Sequence, residues 1–379
     1  MGKAFKAMGW TPPHPIGIYM PDWELVFPVT REKESEMKLT RVGIDLAKNV
    51  FQVHGVDEHG KLVWKRQLKR ATWLQVLLDK AEPSCVIGME ACGGAHHWAR
   101  ELQSRGYTVK LIPAQFVKPY VKSQKNDAKD AEAICEAMSR PGMRFVSVKT
   151  VEQQDIQSIH RVRSLLMSER TAKANQIRGL VAEYGLVAPQ HMSPLRQAIP
   201  GWLEDAENGL TDRFRSWLHE LWNELLRLDQ RRKALDAEIK RISDTHPGAK
   251  RLKQLRGVGP LVATALVARF GDGRHFQRGR QAAASVGLTP RHHGTGGKNR
   301  LYGITKQGDR YLRSILIHGA RAVVWQSKRR DDRLSLWLTE LAARSHPNVA
   351  AVALANKTVR IAWVMLRHGT DFDPELAVA

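Results

Sequence analysis

The succession of strand and helix patterns in residues 41–145 constrains the fold more than any other feature of this chain. Five short apolar runs are typical of strands, at 42–46, 51–56, 62–66, 85–90 and 108–112. Three segments have helical spacing, at 71–80, 95–105 and 126–139. Residues 57–60 indicate a hairpin turn between the second and third strands. Strands that alternate with helices in this way predict a layered α/β domain, which we place at residues 38–145.

The segment at 146–247 has a different pattern, because it is helical throughout and carries no strand signal. Apolar residues recur every third or fourth position, with one interruption at Arg232: Leu218, Leu221, Leu225, Leu228, Leu235, Ile239 and Ile242. A coiled coil between chains and a helical hairpin within one chain both produce this stripe. We therefore predict a long helical, coiled-coil middle region and leave both arrangements open.

The two ends of the chain differ from the middle. Residues 248–379 begin with a glycine-rich stretch and end in a helix pair near 333–367, which predicts a helical C-terminal domain. Residues 1–37 contain five prolines and a charged run, which predict an extended or disordered N-terminal extension. Either Met37 is the functional start, or the extension is a true arm that contacts nucleic acid.

The charge of the chain points to a polyanionic partner. Lys and Arg number 60 against 38 Asp and Glu, giving a net charge of +22. Such a field attracts nucleic acid and releases its counterions, although a merely basic, soluble surface would have the same composition. We find no isolated basic amphipathic helix and no long apolar span, so we predict no membrane partner. Three cysteines without paired spacing fit a reducing cytoplasm.

Four acidic residues form the candidate metal site. Asp45 lies within one apolar strand and Glu90 ends another, where charges are costly to bury. Asp127 and Asp130 are three apart, so that both face one side of a helix. Converging carboxylates suit Mg²⁺ or Mn²⁺ and phosphodiester chemistry. The alternatives are structural acids at the ends of strands and a solvated helix face.

Several blocks of the sequence resemble one family of transposases. Gly-Ile-Asp-Leu-Ala-Lys at 43–48, Met-Glu-Ala-Cys-Gly at 89–93 and Asn-Asp-Ala-Lys-Asp-Ala at 126–131 look like the three blocks of the DEDD domain of the IS-one-ten transposase family. The stretches at 287–298 and 303–313 look like the C-terminal transposase domain of that family. The resemblance extends from about residue 38 to the end of the chain, with the blocks in the same order.

This resemblance implies a fold and an activity. The acidic domain would be RuvC-like, with an RNase H-type fold, and its acids Asp45, Glu90, Asp127 and Asp130 would bind a divalent metal. The enzyme would be an insertion-sequence recombinase that acts on donor and target DNA, guided by a structured bridge RNA. It would assemble as a homo-oligomer, dimer or tetramer, in the bacterial cytoplasm at the nucleoid.

The family supplies a serine nucleophile from its C-terminal domain, and that position falls on Thr295 here. Threonine has the same hydroxyl, but its β-methyl group restricts χ1 and crowds the approach to phosphorus. Thr295 is therefore either a working, slower nucleophile or the mark of a degraded element. Two other classes remain open, a junction-resolving nuclease that uses the four acids alone and a catalytically silent nucleic-acid-binding protein.

Basic residues near Thr295 and in the first part of the helical middle are candidate contacts to nucleic acid. They are Arg291, Lys298, Arg300, Lys306 and Arg310 in the C-terminal domain, and Arg161, Arg163 and Arg178 in the middle. Each could neutralise phosphate charge or follow a nucleic-acid backbone. A solvated basic surface is the alternative for each of them.

Overall fold

The computed structural model describes residues 38–121 and 127–374, except for the side chains of residues 127 and 128. The predicted N-terminal extension, residues 1–37, lies outside the described residues. The strands are β1 (Arg41–Leu46), β2 (Val50–Val56), β3 (Leu62–Lys69), β4 (Val86–Glu90), β5 (Thr108–Ile112), β6 (Pro290–Thr295) and β7 (Lys298–Ile304). The first helices are α1 (Trp73–Lys80), α2 (Ala95–Gln103), α3 (Ala114–Val117), α4 (Asp127–Ser139), α5 (Val151–Ala182), α6 (Met192–Glu204) and α7 (Asp212–Thr245). They are followed by α8 (Pro247–Leu252), α9 (Pro260–Phe270), α10 (Gly279–Ser285), α11 (Arg310–Ser327), α12 (Arg333–Arg344) and α13 (Pro347–His368).

The N-terminal unit is built on a five-stranded mixed sheet in the order β3-β2-β1-β4-β5. β2 is antiparallel to β1 and to β3, whereas β1, β4 and β5 are parallel. Parallel neighbours require crossover connections, which α1 and α2 provide. The predicted α/β domain is confirmed, and together with the helical C-terminal part it is consistent with the RuvC-like arrangement implied by the resemblance.

Two paired glycines allow α4 to pack closely on this sheet. Gly43 of β1 lies opposite Gly88 of β4. A Cβ atom on Gly43 would lie 2.3 Å from the Ala131 carbonyl oxygen of α4, and one on Gly88 would lie 2.8 Å from the sulfur of Met138. Neither strand therefore tolerates a side chain at this position, and the absence of both side chains lets α4 pack directly against the backbone of the sheet.

The middle region contains an antiparallel pair formed by α5 and α7. Three ion pairs link the helices in reversed order, Arg163–Asp236, Arg170–Asp229 and Lys173–Glu224. Leu218, Leu225 and Ile239 of the apolar stripe are buried within the chain. Of the two arrangements predicted for the stripe, the structure contains the internal one, and a coiled coil between chains is not confirmed.

The C-terminal unit has a helical core from α8 to α13, with one element that was not predicted. Residues 290–304 form the two-stranded hairpin β6–β7 rather than helix or loop, so the expectation of a purely helical domain is wrong at this position. Every residue of β6 is exposed to solvent. The missing signal is apolar alternation, because the hairpin is exposed except at its base, where Ile304 packs against the core, and an exposed strand does not need it.

The helix α13 corrects the expectation that the chain has no long apolar span. This helix has 22 residues, and an 18-residue window within it has a mean hydropathy of 1.5, enough by length and composition to cross a membrane. Half of this segment is buried inside the protein, and its side chains belong to the C-terminal core with those of α9 and α11. Core helices of soluble proteins meet the same criteria, so α13 is weak support for a membrane span.

The sheet unit and the C-terminal unit are joined at the start of α5. In the sheet unit, Nδ1 of His96 accepts a hydrogen bond from the Lys149 amide, and the Arg100 guanidinium donates to the Lys149 carbonyl oxygen at 2.7 Å. One turn further, the Gln153 side chain donates to the carbonyl oxygens of Val267 and Ala268 in α9. The segment 149–153 therefore contacts both units.

Candidate functional site

Asp45 and Glu90 lie at the same edge of the sheet. Ile44 pairs with Met89 in the parallel ladder between β1 and β4, so Asp45 and Glu90 follow at equivalent positions on neighbouring strands. Both residues are half-buried. The pKa of the Cys92 thiol is raised by burial and then by the charges of Glu90 and Asp45, so both carboxylates face this thiol. The structure thus brings two of the four predicted acids together.

The other two acids lie in the first turn of α4, and the direction of this helix decides where that turn is. Cys135 lies near the Arg41 end of β1, because the positive charge of Arg41 acts on the pKa of its thiol, which burial raises to about 11. Ala131, one turn earlier, faces Gly43. The helix therefore runs back along β1, and its first turn, with Asp127 and Asp130, points toward the end of the strand that carries Asp45.

The donor set of this edge fits a hard divalent cation, because carboxylate oxygens are the ligands that Mg²⁺ and Mn²⁺ prefer. Within 38–121 and 129–374, no three His, Cys, Asp or Glu side chains are grouped closely enough to hold a metal ion. The side chain of Asp127, the predicted fourth ligand, is outside the described part of the chain. Asp45 and Glu90 are therefore the acids that the structure places side by side.

Thr295 is the last residue of β6 and stands at the tip of the exposed hairpin. It pairs with Lys298 across a two-residue turn, and Gly296 and Gly297 have φ values of 54° and 76°. Two consecutive positive φ values are typical of a type I′ turn, which only glycine and a few polar residues adopt readily. The glycines that flank Thr295 therefore form the turn that presents its hydroxyl to solvent.

One face of the hairpin carries several polar groups beside Thr295. His293 pairs with Arg300, two positions along from the pair of Thr295 and Lys298. Side chains of directly paired residues, and of residues two apart on a strand, lie on the same face. A hydroxyl, an imidazole, an ammonium and a guanidinium group thus project together. Such a face can approach a phosphodiester, because two cations flank the hydroxyl.

The remaining predicted contacts to nucleic acid fall into two groups. Arg161, Arg291, Lys306 and Arg310 are exposed. Arg163 and Arg178 instead use their donors within the chain. Arg163 pairs with Asp236 at 2.6 Å, and Arg178 donates to the carbonyl oxygens of Gln190 and His191. These internal contacts give both arginines a structural role in the helical middle.

A groove between α5, α9 and the start of α11 was not predicted from the sequence. It has a volume of about 550 Å³ and includes Arg161 and Arg269 in its lining. The signal that could have found it is Arg269 itself, the single charged residue in the mostly apolar helix α9. In an apolar helix such a residue has either a buried partner or a ligand.

Two family models match this chain. The first, described as a transposase of the DEDD type, matches residues 42–186, which include the sheet unit and α5. The second, described as the transposase IS116/IS110/IS902 family, matches residues 249–334, which include the hairpin with Thr295. Both predicted blocks of resemblance are therefore matched.

Whole-length relatives are also similar to this chain. A probable family 20 transposase of Pseudomonas aeruginosa is 50% identical over 89% of this chain and 100% of the relative. The transposase for insertion sequence element IS1111A of Coxiella burnetii is 42% identical over 94% of this chain and 97% of the relative. The transposase for insertion sequence element IS1328 of Yersinia enterocolitica is 38% identical over 88% of this chain and 98% of the relative.

Proposed function

Because this chain belongs to the IS116/IS110/IS902 family of transposases, we propose that it recombines DNA through a covalent intermediate on Thr295. That it is an insertion-sequence transposase, a DNA recombinase with DNA as its substrate, follows from the family. Its DEDD-type domain suggests a divalent metal requirement. The observation that supports the nucleophile is the exposed hairpin tip, where Thr295 shares one face with Lys298 and Arg300.

The proposed step exchanges one phosphoester for another. The Thr295 hydroxyl oxygen attacks a DNA phosphorus, and the bond between this phosphorus and one deoxyribose oxygen breaks. The proton of the hydroxyl group ends on the released deoxyribose oxygen, for which the neighbouring His293 is the candidate carrier. A deoxyribose hydroxyl from a second strand reverses the step and frees Thr295. No external energy source is needed, because the number of phosphoester bonds is conserved.

The acids and the basic residues have separate roles in this proposal. Asp45, Glu90, Asp127 and Asp130 would hold Mg²⁺ or Mn²⁺, which stabilises charge on phosphate oxygens when bound. Arg291, Lys298, Arg300, Lys306 and Arg310 would neutralise DNA phosphates around the hairpin. The hairpin is exposed, and Asp45 and Glu90 are half-buried, so each keeps some surface in contact with solvent.

The partners of the enzyme are proposed from the resemblance and from its charge. A structured bridge RNA would choose donor and target DNA, and the net charge of +22 favours binding of both polyanions. A dimer or tetramer would act in the cytoplasm, associated with the nucleoid. The division of the chain at residues 37, 145 and 247 also remains a proposal.

The nucleophile is tested by trapping the covalent intermediate. Purified protein is incubated with Mg²⁺, labelled donor and target DNA and the RNA from the flanks of its element, then denatured and resolved by electrophoresis. Wild-type protein should give a denaturant-stable protein–DNA adduct, and Thr295→Ala should give none. Thr295→Ser should restore the adduct and form it faster than wild type, because the β-methyl group that crowds the hydroxyl is gone.

Two controls separate the competing functions. Thr305→Ala, at the base of the same hairpin, should form the adduct at the wild-type rate. Asp45→Asn should lose both adduct and product. DNA cleavage that persists in Thr295→Ala and disappears in Asp45→Asn would instead identify a nuclease that uses the acids alone. Binding without any metal-dependent product in the wild type would identify a silent DNA-binding protein.

A further inference from the structure

The groove between α5, α9 and α11 contains a cation that forms no ion pair with a described residue. Arg269 lies on α9 and is largely buried, and burial lowers the pKa of its guanidinium. Among the described residues, no carboxylate lies within ion-pair distance of it, and its Nε atom has no hydrogen-bond partner. A buried and unpaired charge is costly, so a protein retains one mainly where a ligand of opposite charge binds.

Two further cations lie around Arg269. Arg161 lines the mouth of the same groove, is exposed, and forms no ion pair with any described residue. Lys149 lies near Arg269 and is buried, and its ammonium group donates to the Gln157 side chain at 2.7 Å. Burial and then the charges of Arg269 and Arg161 lower the pKa of Lys149 to about 8, so these three cations are close enough to repel one another.

One acid faces this cluster and offsets only part of its positive charge. Asp309 lines the groove, but its Oδ1 atom accepts a hydrogen bond from the Leu312 amide at 2.9 Å and caps α11. His160, also in the lining, adds no charge near neutral pH, since burial lowers its pKa to about 4. Three cations therefore face one carboxylate, and the groove carries a positive excess. The neutral hydroxyl group of Ser164 lies along one wall, and the Ser168 hydroxyl group donates to the Ser164 carbonyl oxygen.

We propose that this groove binds a backbone phosphate of the nucleic acid strand that the transposase holds, with Arg269 at the floor and Arg161 at the mouth. A phosphodiester is the anion that fits, because the family acts on DNA and the α5 wall of the groove, with Arg161, Ser164 and Ser168, is exposed to solvent. The guanidinium of Arg269 offers parallel donors to two phosphate oxygens. The proposal rests on the transposase activity, but not on Thr295 or on the metal.

The location gives the groove a function beyond affinity. Lys149 is held by His96 and Arg100 of α2, the helix that follows the loop after Glu90, and Asp309 begins α11, the helix that follows the hairpin with Thr295. A phosphate bound by Arg269 would therefore fix a strand at the junction of the sheet unit and the C-terminal unit.

The test measures binding of single-stranded oligonucleotides, as DNA and as RNA of the same sequence, by full-length protein in the presence of a chelator. Arg269→Gln should weaken binding about tenfold and reduce the slope of log affinity against log salt by about one, as loss of one phosphate contact does. The matched control is Arg231→Gln, which removes one exposed charge from α7 and should change neither quantity to this extent.

The outcomes are distinguishable from those of the adduct experiment, because binding in a chelator needs neither Thr295 nor a metal. Weaker binding by Arg269→Gln of the DNA oligonucleotide, of the RNA oligonucleotide or of both supports phosphate binding in the groove. Which oligonucleotide is affected identifies the strand that the groove holds. Equal affinities and slopes for Arg269→Gln and Arg231→Gln would overturn the proposal. Should Arg269→Gln fail to fold, Arg161→Gln at the exposed mouth replaces it, with the same expected reduction in slope and the same contradicting result.

Discussion

His160 lies at the centre of a buried hydrogen-bond network that joins three helices. Its Nδ1 atom lies 2.9 Å from the Tyr311 hydroxyl of α11, and its Nε2 atom lies 3.0 Å from the Thr264 hydroxyl of α9. The Thr264 hydroxyl donates to the Pro260 carbonyl oxygen, so it accepts from Nε2–H, and Nδ1 accepts from Tyr311. This arrangement satisfies the neutral ring and opposes its protonation.

The network predicts a stability that falls in acid. Burial, and then the charge of Arg163, lowers the pKa of His160 from 6.5 to about 4, so the unfolded chain binds a proton that the folded chain does not between these values. Stability from this residue is therefore complete above pH 6.5 and is lost as the pH falls toward 4. Between about pH 7 and about pH 5 the loss is about 2 kcal/mol.

Urea denaturation at several pH values measures this effect. His160→Gln should reduce the loss of stability between about pH 7 and about pH 5 by about 2 kcal/mol, because glutamine keeps hydrogen-bonding groups and does not titrate in this range. The remaining dependence includes His96 and His275, whose pKa values burial also lowers to about 4. His318→Gln, at an exposed position of α11, should leave the dependence as it is in wild type. An unchanged pH dependence in His160→Gln would contradict this role.

At the scale of elements, the contact between α5 and α7 depends on one buried carboxylate. Asp229 of α7 is 2% exposed and pairs with Arg170 of α5 and with Arg196 of α6. Asp229 lies beside the apolar stripe, between Leu228 and the interrupting Arg232. The stripe alone left two arrangements open. A stripe of leucines shows that a helix is covered, whereas the reversed order of the ion pairs shows that α5 of the same chain covers part of it.

Asp229→Ala should lower the free energy of unfolding by about 3 kcal/mol, because removal of the buried carboxylate leaves the half-buried Arg170 and Arg196 without this counter-ion. The measurement is the urea midpoint followed by circular dichroism. Glu238→Ala is the matched control on the same helix, since its pair with Arg241 is exposed and such pairs contribute little. Equal midpoints for the two variants would show that Asp229 does not stabilise the helix pair.

At the scale of the whole molecule, the sheet unit and the C-terminal unit meet through a few polar contacts around 149–153. Arg100 of the sheet unit contributes a charge-assisted hydrogen bond to this connection, because its guanidinium group donates to the Lys149 carbonyl oxygen at 2.7 Å. The same segment borders the groove with Arg269, so the relative placement of the two units and the proposed phosphate contact depend on common residues.

Arg100→Ala should loosen this connection without unfolding either core. Limited trypsin digestion should cut after Arg144 or Lys149 several times faster than in wild type, giving two fragments. Arg105→Ala is the control, because the Arg105 side chain, just after α2, donates its hydrogen bonds to Glu101 of α2 within the sheet unit. If Arg100→Ala is digested at the same rate as Arg105→Ala, the hydrogen bond from Arg100 to Lys149 does not hold the two units together.

The sequence by itself determined the elements and the acids. Periods of two and of three to four residues reflect which faces are buried, so β1 to β5 and the long helices were predicted from local patterns. Asp45 and Glu90 were identified because charges in apolar strands are costly to bury. The hairpin that carries Thr295 was missed, since it is exposed on both strands and leaves no apolar period.

Only the tertiary structure decided which distant residues meet. Parallel pairing of β1 with β4 puts Asp45 beside Glu90. The paired Gly43 and Gly88 let α4, a helix from a distant part of the chain, pack closely on these two strands. The internal partner of the apolar stripe and the unpaired charge of Arg269 depend in the same way on contacts between distant segments. Local patterns record how much of a residue is buried, whereas its neighbours are fixed by the packing of the whole chain.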